Sequence, residues 1–291
     1  MNYESRSLVS WMDWEKLINS VVVDLRSPNE FSQGHILNSA NIPAVYLEPR
    51  MHELPSKEKP ITLIGNIDQL EIASSFLLSK GYSVSDRLRI QTGDLEPNIN
   101  PRYCVSGSVS NLLWSPSGVV KEFVKMCGST NKNLNGIDLA CGAGRDSIYL
   151  ARKGWKMSAV DYSKSALDKV RSLAAVNQVS VKAIQLDLEK DFSAINALGH
   201  GFDAIVTVRY LHRPILTQLS HFINTGGYII YQTFLRGAEK IGSPKNPRFL
   251  LEAGELADIF SDFEILVDDI EYLGDGRPTN RFIARKHSAH L

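Results

Sequence analysis

Two glycines and two carboxylates set the chemistry open to this chain. The run Ile137-Asp138-Leu139-Ala140-Cys141-Gly142-Ala143-Gly144-Arg145-Asp146 reads as a buried strand, then a glycine turn, then a helix over 147–153 opened by Asp146. A second apolar run, Lys156-Met157-Ser158-Ala159-Val160, ends at Asp161. Glycines at a strand-to-helix turn let a ligand approach the backbone where a Cβ would block it. An acid at the tip of the next strand can take a ribose diol. The pattern predicts a nucleoside-binding βαβ unit.

The residue types also discriminate between nucleosides. A dinucleotide fingerprint needs G-x-G-x-x-G, its third glycine serving close helix–sheet packing. Here the third position is Ser147, and Asp146 stands at the helix N-terminus where a pyrophosphate would otherwise bind. An acid there repels phosphate but suits an ammonium or a sulfonium. S-adenosylmethionine is therefore expected over NAD or FAD.

The elements that must hold these residues need more than one domain. At 291 residues the chain is comfortable as two. Lys plus Arg and Asp plus Glu both count 32, so no global field draws in nucleic acid or anionic membrane, though a local basic patch stays open. Cys104, Cys127 and Cys141 have no CxxC spacing, which argues against a zinc site or a disulfide framework; no metal is expected. The opening MNYESRSLVSWMDWEK is unlike a signal peptide, and no apolar run nears the ~20 residues that span a bilayer. A soluble, cytoplasmic protein is expected.

The first hundred residues follow one pattern: a short helix at 14–18, buried strands at 21–25 and 61–64, and a helix over 69–79 stopped by Gly81. Between them lies D-x-R-x-x-x-E-F-x-x-G-H-I-x-x-A-x-N-I-P, carried by Asp24, Arg26, Glu30, Phe31, Gly34, His35, Ile36, Ala40, Asn41, Ile42 and Pro43. This motif closely resembles the rhodanese domain over residues 8–95. In that family the strand equivalent to 61–64 ends in a nucleophilic cysteine within a loop of backbone amides, because sulfur transfer needs a stabilised thiolate. Here the loop reads Ile64-Gly65-Asn66-Ile67-Asp68-Gln69, and no cysteine precedes Cys104. A rhodanese fold without sulfurtransferase chemistry is expected over 1–97. The stretch 98–117, rich in Pro, Asn, Ser and Gly, reads as a linker whose Leu112-Leu113-Trp114 cluster packs on the second domain.

From 118 to 291 helices and strands alternate. Strands are expected at 136–140, 156–160, 181–186, 202–208, 228–234, 263–270 and 280–285, with helices at 118–127, 146–153, 163–177, 215–222 and 251–260. Ser163 is a candidate N-cap, and the last two strands should form a hairpin across Gly274-Asp275-Gly276. Five βα units closed by a hairpin, with D-x-x-C-G-x-G-R-D, Asp161, Asp187 and Thr225-Gly226-Gly227, resemble the class I S-adenosylmethionine-dependent methyltransferases. The R-D ending and the later Asn246-Pro247-Arg248-Phe249-Leu250-Leu251 run look most like their tellurite-resistance, small-molecule type. The fold class expected is thus α/β: a rhodanese-like domain, then a Rossmann-like domain on a mostly parallel seven-stranded sheet.

The resemblance implies roles. Gly142 and Gly144 would let the backbone meet the methionine part of the cofactor, and Asp138 or Asp146 would face its ammonium. Asp161 would hold the ribose hydroxyls, and Asp187 with Leu188 the adenine. Asp138 bracing the loop and Asp187 capping a turn are the plain alternatives, and Cys141 is a loop-packing residue. At the acceptor side lies Arg209-Tyr210-Leu211-His212-Arg213-Pro214. His212 could act as general base, and Arg209 or Arg213 could hold an anionic group; capping the next helix or pairing with nearby acids is the alternative. Tyr231, Arg236 and Arg248 are weaker candidates.

A methyltransferase acting on a small molecule is the leading expectation, with the rhodanese-like part presenting substrate, regulating, or joining two copies. The alternatives are a protein or RNA methyltransferase recruited through that part, and a non-catalytic sensor of S-adenosylmethionine. Nucleic acid is disfavoured as a substrate because no basic, aromatic-rich module is visible.

Overall fold

Apolar runs bounded by turn residues become the buried strands of two separate α/β sheets. The computed structural model describes residues 6–7, 14–90, 93–98, 100–127, 134–190, 196 and 198–287, which divide into two units, Met1–Ser115 and Pro116–Leu291.

The first unit contains β1 (Arg6–Ser7), β2 (Val21–Asp24), β3 (His35–Ile36), β4 (Ala40–Asn41), β5 (Ile61–Gly65), β6 (Val84–Arg89) and β7 (Cys104–Val105). Five of these make a parallel sheet in the order β1-β6-β5-β2-β4. Every residue of β5 is buried, as a central strand covered on both faces requires. Helices α1 (Trp14–Ile18), α2 (Pro28–Gln33) and α3 (Ile67–Ser79) cover it. A capping box between Ser27 and Glu30 starts α2, with Pro28 in the first turn. Asn66 and Gln69 form a second capping box that starts α3 directly after β5, two residues earlier than the sequence pattern suggested.

The stretch expected as a linker is instead part of this unit. β7 pairs antiparallel with β3, the Leu37 amide donates to the Tyr103 carbonyl, and the Gly107 and Asn111 amides donate to Ser32 and Ser39. Leu113 packs on the apolar cluster built around Val23, Ile42 and Leu63, within this unit. The physical reason is that His35 and Ile36 are buried and their backbone groups need partners, which 104–105 supplies.

The second unit begins with α4 (Gly118–Cys127) and continues through β8 (Asn135–Leu139), α5 (Arg145–Arg152), β9 (Lys156–Asp161), α6 (Lys164–Val176), β10 (Val181–Gln185), β11 (Phe202–Val208), β12 (Ile223–Phe234), β13 (Phe263–Tyr272) and β14 (Pro278–Lys286). Its seven-stranded sheet has the order β10-β9-β8-β11-β12-β14-β13. Only β14 runs against its neighbours, so the sheet is mixed. Side-chain alternation splits the core: Ile205, Ile229 and Phe282 face one layer, while Val206, Ile230 and Ile283 face the other. Ser163 caps α6 by accepting from the Ala166 amide.

Three elements differ from the sequence reading. The helix expected at 215–222 is two short helices, Arg213–Leu216 and Leu219–Phe222, joined by tight turns from Gln218 to Ile215 and from His221 to Gln218. β12 starts at Ile223, with Gly227 packed so closely that a Cβ would lie 3.1 Å from the Asp203 carbonyl oxygen. The helix expected at 251–260 is shorter, Glu255–Ile259, because Leu251 bridges to Leu235 and Gly254 turns the chain at φ +81°. Among the described residues no helix is long and apolar enough to cross a membrane.

Candidate active site

In an open α/β sheet the ligand crevice lies beyond the carboxyl ends of the strands, where the strand order reverses. That point falls between β8 and β11, which are neighbours although two strands separate them in sequence. The residues just past these two strand ends, Ala140 and Arg209, both adopt left-handed backbone, with φ of 56° and 58°. Such conformations are costly for non-glycine residues and concentrate at functional sites.

Gly142, at φ +55°, follows Ala140, and a Cβ built on it would meet nothing within 4 Å. Its amide donates to Asp161 Oδ2 at 2.9 Å, while Oδ1 accepts from the Ser163 amide at 2.9 Å. The strand-end acid is thus 7 % exposed and held by two amides, with acceptor capacity left on each oxygen. Gly144 serves another need. At φ +76° its Cβ would stand 2.7 Å from Val170 Cγ2, so the absence of a side chain here lets α5 close on α6.

Asp138 is 2 % exposed and accepts from the Ser147 hydroxyl at 2.6 Å. Burial, with the nearby charges of Asp146 and Asp161, pushes its carboxyl up to about 8. It braces the turn, the simpler of its two readings. Asp146 Oδ1 accepts from the Ser117 amide at 2.7 Å and hydroxyl at 3.0 Å, and burial raises its pKa against those bonds. Asp187 stands at the rim, its Oδ1 accepting from the Glu189 and Lys190 amides, which hold its pKa below the usual carboxylate range. It caps a turn there, while the Leu188 side chain beside it is buried in the core. Cys141 packs with Ala159, Leu167 and Val170, and burial raises its thiol pKa, so it is no nucleophile.

On the acceptor side, the His212 carbonyl accepts from the Ile215 and Leu216 amides, while its half-buried ring stacks on Tyr210. Arg213 is fully engaged. It grips Glu255 at 2.6 and 2.8 Å and donates to the Arg248 and Leu250 carbonyls, each at 2.9 Å. This removes it as a holder of substrate and ties the 246–251 segment to the end of β11. Tyr231 donates to the Tyr210 carbonyl, Arg236 pairs with Glu252, and Arg248 lies 3.5 Å from Glu189. Arg209 is exposed and has no ion pair among the described residues. Ser117 and Glu255 escaped the sequence reading, and Ser147 is read there only as the residue in place of a third glycine. Ser117 precedes a helix and so signals a cap, but nothing local shows that it reaches Asp146.

In the first unit the motif residues hold one another. Arg26 forms a bidentate pair with Asp24 and donates to the Gly34 carbonyl, and Asn41 donates to the Asp24 and Arg26 carbonyls. His35 Nδ1 is 2.9 Å from the Phe31 carbonyl oxygen. A cleft of about 420 Å³ opens beside Arg26, Asn66 and Gln69, with no cysteine, serine or threonine among its described lining residues.

Residues 137–227 match the methyltransferase domain family, and residues 6–94 match the rhodanese-like domain family. The second domain is thus a methyltransferase domain, and S-adenosylmethionine is its cofactor. A rhodanese-like domain precedes it. The methyltransferase is similar over nearly its whole length to an uncharacterized protein of Schizosaccharomyces pombe, at 24 % identity over 94 % of this chain and 97 % of the relative. It is 26 % identical to the probable S-adenosyl-L-methionine-dependent methyltransferase TehB of Haemophilus influenzae, over 45 % of this chain and 46 % of that one. It matches the ubiquinone biosynthesis O-methyltransferase of Alkalilimnicola ehrlichii at 26 % over 49 % of this chain and 60 % of that one. The crystal structure of Haemophilus influenzae TehB superposes with a TM-score of 0.49 at 20 % identity, over 59 % of this chain and 62 % of that one.

The residues of the methyltransferase fit its cofactor. Gly142 leaves open space at the turn, and Asp161 and Asp187 keep carboxylate acceptor capacity at the ends of the strands, as a nucleoside ligand requires.

Proposed function

We propose that the methyltransferase acts on a small molecule that enters beside Arg209 and His212, and that its rhodanese-like domain is non-catalytic. One observation carries the acceptor size: Arg213 fastens the 246–251 segment across the end of β11, so the chain's own backbone walls this side. A walled crevice suits a compact acceptor better than a polymer. The O-methyl transfer named for the ubiquinone-biosynthesis relative is in keeping with that size class.

When bound, S-adenosylmethionine supplies a methyl group already activated on a sulfonium, so the residues have positioning work to do. Asp161 and the Gly142 backbone hold the nucleoside, and Asp187 borders the adenine side. His212, whose ring makes no hydrogen bond among the described residues, takes the acceptor's proton if the acceptor carries one. The non-catalytic reading of the rhodanese-like domain rests on the Asn66–Gln69 capping box, which stands where an amide loop with its cysteine would have to be. That domain then serves in regulation, substrate presentation or self-association, and the cytoplasm is the expected compartment.

The test is to incubate the protein with radiolabelled S-adenosylmethionine and a cell extract, then separate small from large products. Label confined to the low-mass fraction supports this reading. Label on protein or RNA overturns the small-molecule assignment, and no transfer alongside intact cofactor binding favours a sensor.

A further inference from the structure

Arg145 and Arg277 lie close enough to Arg209 to act on its charge, although the three come from different elements: the first residue of α5, the turn between β13 and β14, and the residue past β11. Their charges are not equally met. Arg277 is fixed by Asp275 at 2.8 Å, by the Ser243 carbonyl, and by the Phe234 ring face at 4.7 Å. Arg145 and Arg209 are exposed and have no ion pair among the described residues. The acids close to Arg209 are Asp146, whose Oδ1 accepts from Ser117, and Asp275, which pairs with Arg277; neither forms an ion pair with Arg209. Arg209 is also held in place: its amide donates to the Gln232 carbonyl at 2.6 Å and its backbone is left-handed, so its side chain leaves the strand end in an imposed direction.

We propose that Arg209 is a specificity-determining residue that binds an anionic group, a carboxylate or a phosphate, on the methyl acceptor. This rests on the methyltransferase reading and names the class of substrate the same site takes. Charge arithmetic separates the two free guanidinium groups. The cofactor carries one carboxylate against an ammonium and a sulfonium, so it can meet one arginine at most and adds positive charge to the crevice. Arg145 opens α5 directly after the glycine turn that would meet the cofactor's methionine part. Arg209, at the end of β11 on the acceptor side, forms no ion pair among the described residues. Desolvation, then the charges of Arg145 and Arg277, depress its pKa against the opposing pull of Asp146 and Asp275. A guanidinium presents parallel donors that match a carboxylate or phosphate in two-point contact.

The experiment uses the full chain saturated with S-adenosylhomocysteine and titrated calorimetrically with inorganic phosphate in a zwitterionic buffer. The wild type should bind phosphate saturably in the millimolar range. Arg209→Gln should weaken phosphate by roughly tenfold to a hundredfold, the loss expected for hydrogen bonds to a charged group, with S-adenosylhomocysteine affinity within about twofold. Arg209→Lys should recover part of it, and Arg145→Gln should weaken S-adenosylhomocysteine more than phosphate. Equal phosphate binding by the wild type and Arg209→Gln, or no saturable binding by the wild type, overturns the proposal. So does an Arg209→Gln variant that loses S-adenosylhomocysteine but keeps phosphate, since Arg209 would then serve the cofactor. Failure of the wild type to bind S-adenosylhomocysteine would strike the methyltransferase reading instead.

Discussion

The Asp161 carboxylate and the Gly142 amide, 2.9 Å apart, lock the end of β9 to the turn that follows β8. Under the proposed function the same oxygen pair serves the ribose, so one side chain would shape the turn and bind the ligand. Replacing it should reveal both functions at different sizes. Asp161→Asn keeps an acceptor for one amide but loses the charge, and should weaken S-adenosylhomocysteine by about 1.5–3 kcal/mol, roughly tenfold to a hundredfold. Calorimetry reads the affinity, and an unchanged circular dichroism spectrum separates it from unfolding.

The two glycines of the turn should respond unequally to alanine. Gly142→Ala meets open space and incurs only the left-handed backbone cost, about 1–2 kcal/mol. Gly144→Ala has a similar backbone cost and also drives a methyl against Val170 at 2.7 Å, adding about 1–3 kcal/mol of overpacking. Urea unfolding should rank Gly144→Ala as the less stable, while Gly142→Ala should show the larger fall in S-adenosylhomocysteine affinity relative to its stability loss.

Much of this was legible in the sequence, and the failures have one cause. Strand β11 was read to the residue and Ser163 as a cap, because both signals are local: a continuous apolar run, and a serine at a helix start. Asp161 could be placed at a strand tip by the same means. The role of Gly144 could not, because Val170 lies far along the chain and only the packing of α5 on α6 brings it close. Arg213 looked like a substrate holder until Glu255 came to meet it from another element. The stretch 98–117 has the composition of a connection, and its pairing with β3 depends on an edge that composition does not report.

The buried acid under the turn makes stability depend on pH. Asp138 rises from 3.8 to about 8 in the folded chain, so between about pH 4 and pH 8 the native state keeps a proton the unfolded chain has lost. Its contribution is therefore full below about pH 4 and is lost as pH rises through 8. Asp138→Asn stays neutral and can still accept from Ser147. The wild type's urea midpoint should fall more steeply from about pH 5 to about pH 9 than the variant's, and parallel curves would refute a protonated Asp138.

The clamp on the acceptor side can be tested by a charge-conserving change. Arg213→Lys keeps the cation but loses the fork that reaches Glu255 and two carbonyls at once. The pair is partly exposed, so a loss of about 1 kcal/mol is expected, lowering the methyltransferase domain's Tm by about 2–4 °C.

The first domain should show no thiosulfate:cyanide sulfurtransferase rate, and Asn66→Cys should not create one. A thiol there would meet only the first-turn amides of α3, beside the acidic Asp68 that opposes a thiolate. Activity in either protein would show that the site is intact after all.

Pairing of Cys104–Val105 with His35–Ile36 decides where this polypeptide can be cut. A recombinant fragment ending at 97 would expose a raw strand edge and uncover the apolar wall that Leu113 shields, inviting aggregation. Severing after Ser115 leaves that edge mated, so the natural scissors line for studying either half alone falls there.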